Sequence, residues 1–346
     1  MFLLQPNRRA NRRRLLLLLV RRPTGRNRGR ADGEEYRRGR RHESRWDGNL
    51  VTIAACYLSP EGVVLGADSA STYETTMGPH HFNYGQKLFE ISNSPETGTL
   101  GIVTWGMGGL AIGSYRTLIA KLADDLRVSP ATSVLDAANR WVELFWAAYT
   151  SSLGNELARC HALAAKAPYD QASLDDPVRR TIEEETELAS LIDNRFVGFC
   201  IGGYTMPSRI PAAFEILFDP LDGKPVPQQL PSAQSLWGVP AMIMRLIKGC
   251  GDEIRDAIFN SGFWNGTPEQ LDDVIAPHRL IHPSTVPIRE AIDFTHACLL
   301  TTVKAMKFSP QPRYCGGPIE IAVITTDRPF RWVSHKKWDS AVKETD

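Results

Sequence analysis

Thr52, Asp68, Lys87 and the glycine run Gly106–Gly109 are the residues of this chain whose types and spacing could do chemistry. Thr52 opens an apolar run, "TIAACYL"; Asp68 closes the next, "VVLGADS"; Lys87 opens a third, "KLFEI". An acid at the end of an apolar strand needs a partner, because a lone buried carboxylate is expensive. Lys87 is the candidate partner. "GMGG" follows the apolar "TLGIVTW". At a strand-to-helix junction, exposed backbone N–H groups and a helix N-terminus can hold an oxyanion. Each residue also has an ordinary reading: Thr52 as a strand former, Asp68–Lys87 as a structural ion pair, Gly108 and Gly109 as a helix cap.

The elements that must position these residues follow from turns and periodicity. "SPEG" (Ser59 to Gly62) is a turn, with Pro to start it and Gly to end it. A hairpin centred there pairs Leu58 with Val63, which places Ile53 opposite Asp68 and Thr52 opposite Ser69, give or take one. Both faces of the Thr52–Leu58 strand are apolar or small, as suits a strand covered on both sides. "KLFEIS" and "TLGIVTWG" form a second hairpin through "NSPETG". A helix is expected from the paired glycines Gly108–Gly109 to Leu126. A second, Ser133–Leu153, carries Val134, Ala138, Trp141, Leu144, Phe145 and Ala148 on one face. A polar helical stretch, "PVRRTIEEETELASLI", reads as a surface insertion. Strands return over 195–206, 212–220 and "SLWG", three helical stretches over 240–260, 267–274 and 285–307, and final strands over "PIEIAVITT" and "FRWV". Strands in adjacent runs, without strict βαβ alternation, argue for two largely antiparallel sheets with helices outside.

Charge divides the chain unevenly. The formal net charge of the 346 residues is +1, yet residues 1–50 hold fifteen Arg and five acids, leaving the remainder at −9. The basic character therefore belongs to a tail, which lacks periodicity, caps and aromatic interleaving and reads as disorder more than as a nucleic-acid arm. Its apolar run, Leu15 to Val20, is shorter than the roughly seven to fifteen residues of a signal core. No stretch approaches the roughly twenty apolar residues of a membrane span, and a cytoplasmic protein is expected. The six cysteines show no CxxC or paired-His spacing, so neither zinc nor disulfides are expected.

The run from Thr52 through "EGVVLGADS", then "KLFEI", then "GMGG" plus helix, resembles a proteasome β-type subunit of the N-terminal-nucleophile hydrolases. The interval of sixteen residues from Thr52 to Asp68 matches that family's spacing between nucleophile and acid, while the lysine lies three residues later. The likeness covers residues 51–128 and returns more loosely after Phe196 and over "GGPIEIAVITT". It implies an α+β fold, a four-layer αββα sandwich over residues 51–346, with a helical insertion near 150–195. It further implies a threonine peptidase or amidohydrolase that needs no cofactor and no metal. Thr52 would be the nucleophile, its own α-amine the base, Lys87 the neighbouring cation and Asp68 its anchor. Gly108 would supply the oxyanion N–H, with Gly106 as the alternative. A peptide or protein substrate and a homo-oligomeric ring follow from the same resemblance, which leaves an ATP-dependent unfoldase open.

The support around the nucleophile departs from the family. Cys315 and Pro312 stand where a serine and an acid are usual, and "LWGVPA" replaces a serine-bearing turn. The alternatives are a catalytically silent assembly subunit or an amidase for a small molecule. The chemistry also demands a free α-amine on Thr52, so residues 1–51 are expected to be absent from the mature protein. Either self-cleavage or initiation at codon 51 would remove them.

Overall fold

The computed structural model describes residues 52–75, 78–94, 96–170, 178–238, 241–280, 286–309 and 315–336. The arginine-rich tail, Val51, Pro312 and the Val239–Pro240 part of "LWGVPA" lie outside them.

Turn chemistry sets the first sheet. β1 (Ile53–Ser59) and β2 (Gly62–Ala67) form the expected hairpin, with Leu58 opposite Val63 and Ala54 opposite Ala67. β10 (Gln234–Gly238) flanks β1, while β11 (Glu320–Thr325) and β12 (Arg328–Ser334) continue beyond β2. The order is β10-β1-β2-β11-β12, every pairing antiparallel. β1 and β2 are buried along their whole length, which is why neither shows polar alternation.

The second sheet has the order β5-β6-β7-β8-β9 and is also antiparallel throughout. It comprises β5 (Leu88–Ser94), β6 (Gly98–Gly106), β7 (Val197–Thr205), β8 (Ala212–Phe218) and β9 (Gln228–Gln229). The sheets face each other through Leu65, Val103, Trp105, Cys200, Ala322 and their neighbours. A two-stranded ribbon, β3 (Ser71–Thr75) with β4 (Gly78–Phe82), stands apart from both. Sequence periodicity gave no sign of it.

Helices cover the outer faces. α1 (Tyr115–Val128) and α2 (Val134–Ala165) pack on the second sheet. Their core is aromatic: Trp141, Phe145, Tyr149, Phe199 and Phe218 are essentially inaccessible. α2 runs past the expected Leu153 end; its dihedrals break there, next to Gly154, and the helix then resumes. α3 (Ile182–Arg195), opened by a Thr181/Glu184 capping box, packs on this extension through Cys160, Leu163 and Leu188. On the first sheet lies α7 (Ile288–Lys307), which buries Ala291, Thr295, Cys298, Leu299, Thr302 and Met306. α4 (Ala241–Lys248) packs on α7. The single stretch expected over 240–260 is two helices, because Gly249 takes φ +78° between α4 and α5 (Asp252–Asn260). α6 (Pro268–Ile275) completes the set. Helices, sheet, sheet, helices: the fold is a four-layer α+β sandwich.

Candidate active site

The first sheet brings Thr52 and Asp68 to one edge. Thr52 immediately precedes β1 and Asp68 immediately follows β2, so the hairpin register sets them side by side. Two backbone contacts close the ladder: Asp68 N–H donates to the Ile53 carbonyl at 3.1 Å, and Ile53 N–H donates to Asp68 Oδ1 at 3.2 Å. β10 passes on the other side, Gly238 opposite Ile53. Gly238 has φ +87°, and a Cβ there would sit 1.8 Å from the Thr52 carbonyl oxygen, so only glycine allows this approach. Trp237 anchors the same turn by stacking on Trp105 of the second sheet, centroids 4.3 Å apart.

Lys87 arrives from the second sheet, one residue before β5. Its Nζ lies 2.6 Å from Asp68 Oδ1, and both side chains are buried. Gly316 N–H donates to Asp68 Oδ2 at 2.8 Å and Ala70 N–H to the same oxygen at 3.3 Å. Asp68 therefore accepts four hydrogen bonds, the full capacity of a carboxylate. Burial pushes its carboxyl above the ordinary range, and the Lys87 charge and backbone donors work against that shift. Burial likewise pushes the Lys87 ammonium below its ordinary value, opposed first by Asp68. A buried pair of this kind survives only when its remaining hydrogen-bonding capacity is also met.

Cys315 borders the pair. Its thiol is pushed up to about 12, first by burial and then by the Asp68 charge, so it is a neutral neighbour at physiological pH. Ser69 Oγ donates to the Pro318 carbonyl at 2.6 Å and Ser69 N–H to that of Gly316 at 3.1 Å. The 315–318 segment is thus tied to the residue after Asp68. Motif reading noted Cys315 as a departure and missed Gly316; no local signal marks a backbone donor 248 positions from its acceptor.

The glycine run is placed differently from expectation. α1 begins at Tyr115, with the Ser114 side chain accepting from Thr117 N–H as N-cap, so Gly108 and Gly109 lie in the preceding loop and not at a helix N-terminus. A serine able to cap outcompetes a glycine pair upstream of it. Gly106 ends β6 with φ +87° and pairs with Val197, so its backbone is part of the ladder. Gly108 and Gly109 are exposed, with open space where a Cβ would point. Beside the site, Ser71, Phe82, Asn83, Tyr84 and Gly85 line a cleft of about 510 Å³. Gly85 N–H donates to the Ser69 carbonyl at 2.9 Å, which ties the cleft wall to the Asp68 turn.

Among the described residues no cluster of His, Cys, Asp or Glu could hold a metal, and no helix is long and apolar enough to cross a membrane.

No family profile matches the chain, and no curated protein does either. Among solved structures it is similar to an Anbu (Gly-1) mutant from Hyphomicrobium sp. strain MC1, at 11% identity and a TM-score of 0.40. The likeness covers 82% of this chain and 87% of that one.

Proposed function

We propose that the chain is a proteasome-related N-terminal threonine hydrolase that cleaves peptide or amide bonds. One observation carries the reading: a fully hydrogen-bonded, buried Asp68–Lys87 pair is locked by two backbone contacts to the residue directly after Thr52. A purely structural pair on this sheet has no need of a threonine at the head of the adjoining strand.

Once the Val51–Thr52 bond is gone, Thr52 carries an α-amine with a pKa near 8. That amine takes the Oγ1 proton, directly or through a water, while Oγ1 attacks the substrate carbonyl carbon. The carbonyl electrons pass to the oxygen, and an exposed loop N–H, that of Gly108, stabilises the oxyanion. Collapse expels the leaving amine, which takes the proton held by the α-amine. Water then hydrolyses the threonyl ester by the reverse sequence. The Lys87 cation lowers the pKa of both hydroxyl and amine by proximity, and Asp68 holds it there. The cleft at Phe82–Gly85 receives the substrate's side chain.

Within the same reading the active protein starts at Thr52, acts in the cytoplasm, and assembles as a homo-oligomer with any unfoldase partner set by its outer helices. A catalytically silent subunit is the second reading, favoured by the neutral Cys315 thiol at a position where support for the threonine is expected. Intact-mass analysis of the native protein, with and without a threonine-directed epoxyketone, decides between them. The expected result is a chain beginning at Thr52 that gains one adduct, lost in Thr52→Ala. A mature chain that yields abundant tryptic peptides from residues 31–50 would overturn the threonine mechanism; a Thr52 terminus without adduct would establish the silent subunit.

A further inference from the structure

Outside the Asp68–Lys87 pair, the sandwich buries a second carboxylate on the same edge. Glu320 opens β11 directly opposite Ala67, the residue before Asp68, and is fully buried. Two basic side chains approach it from the end of β12: Lys336 Nζ at 3.1 Å from Oε2 and His335 Nδ1 at 2.8 Å from Oε1. Neither contact is aligned as a hydrogen bond. The hydrogen bonds of the Lys336 ammonium go elsewhere, to the carbonyls of Gly85 at 3.0 Å and Tyr84 at 3.3 Å.

That division of labour links two elements. Lys336 spends its charge on Glu320 and its N–H groups on the segment that delivers Lys87. The same segment is gripped from two further sides. Gly85 N–H donates to Ser69, and Gly317, at φ +71°, passes so close that a Cβ would lie 2.5 Å from the Asn83 carbonyl oxygen. We infer that Glu320 and Lys336 form a strut that fixes the Asn83–Lys87 segment, and that Lys336 is a positioning residue for the Lys87 ammonium. Its effect on turnover rests on the reading of Thr52 as nucleophile; its effect on Lys87 rests on the contacts alone.

Charge gives the strut a signature that packing lacks. The groups acting on Lys87 are Asp68, Cys315 and Lys336, and the Lys336 charge disfavours the Lys87 cation. Lys336 itself faces Glu320, with the half-exposed His335 on the other carboxylate oxygen. Removing the Lys336 charge should therefore raise the Lys87 pKa.

The experiment compares Lys336→Met, Lys336→Arg and the double variant Glu320→Gln/Lys336→Met in the protein purified from cells. Turnover of a fluorogenic peptide is read across pH, and Lys87 is titrated by NMR of its labelled ammonium. We expect Lys336→Met to lose about tenfold or more in kcat at nearly constant KM, as small misplacements do. The Lys87 titration should move upward. Lys336→Arg should recover most of both. The double variant removes the unpaired buried carboxylate, so it should fold even where the single one does not, and remain as slow. An unmoved Lys87 titration in a folded Lys336→Met or double variant overturns the strut, whatever the turnover. If the parent protein shows no Thr52-dependent turnover, the threonine reading fails, and the titration still decides the strut.

Discussion

Beneath α2, Phe145 lies 4.7 Å from both Phe199 and Phe218 and 5.3 Å from Trp141, ring to ring, in a layer that excludes water altogether. At the Thr52 edge, equally buried, the contacts are instead single hydrogen bonds onto one carboxylate. The two regions are held by different physics. The aromatic layer sums many weak dispersive contacts over a large apolar area, so damage there is graded. The polar edge depends on a few desolvated atoms, each of which leaves an unsatisfied partner when removed. Stability should therefore reside mainly in the first region and chemistry in the second, and substitutions can be chosen to separate them.

Lys87→Ala should have the largest effect. Turnover should fall by about 10²- to 10⁴-fold, the range for a lost proton-transfer assistant, measured with a fluorogenic peptide. Its cost to stability should stay near 1–3 kcal/mol, the penalty of leaving Asp68 unpartnered. A folded Lys87→Ala protein with undiminished turnover would remove Lys87 from the mechanism. Phe145→Ala should invert the pattern, losing about 3–5 kcal/mol of stability in a denaturant titration while kcat persists wherever the variant is folded. If kcat fell with Phe145→Ala in parallel with Lys87→Ala, the two regions would be coupled and the contrast lost.

A smaller effect should appear at alkaline pH. Burial raises the Cys298 and Cys315 thiols to about 12 from 9.0. Between those values the folded chain holds protons that the unfolded chain has released, so stability present below pH 9 is lost as pH rises toward 12. The urea midpoint should decline across that window, and Cys298→Ala should make the decline shallower; a flat midpoint would refute the assigned burial effect. The smallest effect belongs to the surface. Arg159 and Glu187 pair between α2 and α3 with both side chains nearly half exposed, and Arg159→Ala should leave the denaturation midpoint unchanged within error.

Legibility in the sequence followed the range of the interaction. The "SPEG" turn set the β1–β2 register, and with it the meeting of Ile53 and Asp68, because a short hairpin leaves no freedom in pairing. The aromatic face of α2 was equally legible from its spacing, although its continuation past Leu153 was not. The glycine pair suggested a helix start that Ser114 in fact supplies. The β3–β4 ribbon went unread because "STYET" and "GPHHF" lack apolar alternation and carry a proline.

By itself, then, the sequence determined the local geometry that places Thr52 beside Asp68, the apolar faces that demand two covered sheets, and the identity of the groups available for chemistry. Tertiary structure alone decided what surrounds the carboxylates. Gly316 reaches Asp68 from 248 residues away, and Lys336 bridges Glu320 to the Gly85 carbonyl across 251. Periodicity and turn chemistry act over a few residues. Closing contacts between distant segments depends on how two sheets pack face to face, and that packing is a property of the whole assembled core.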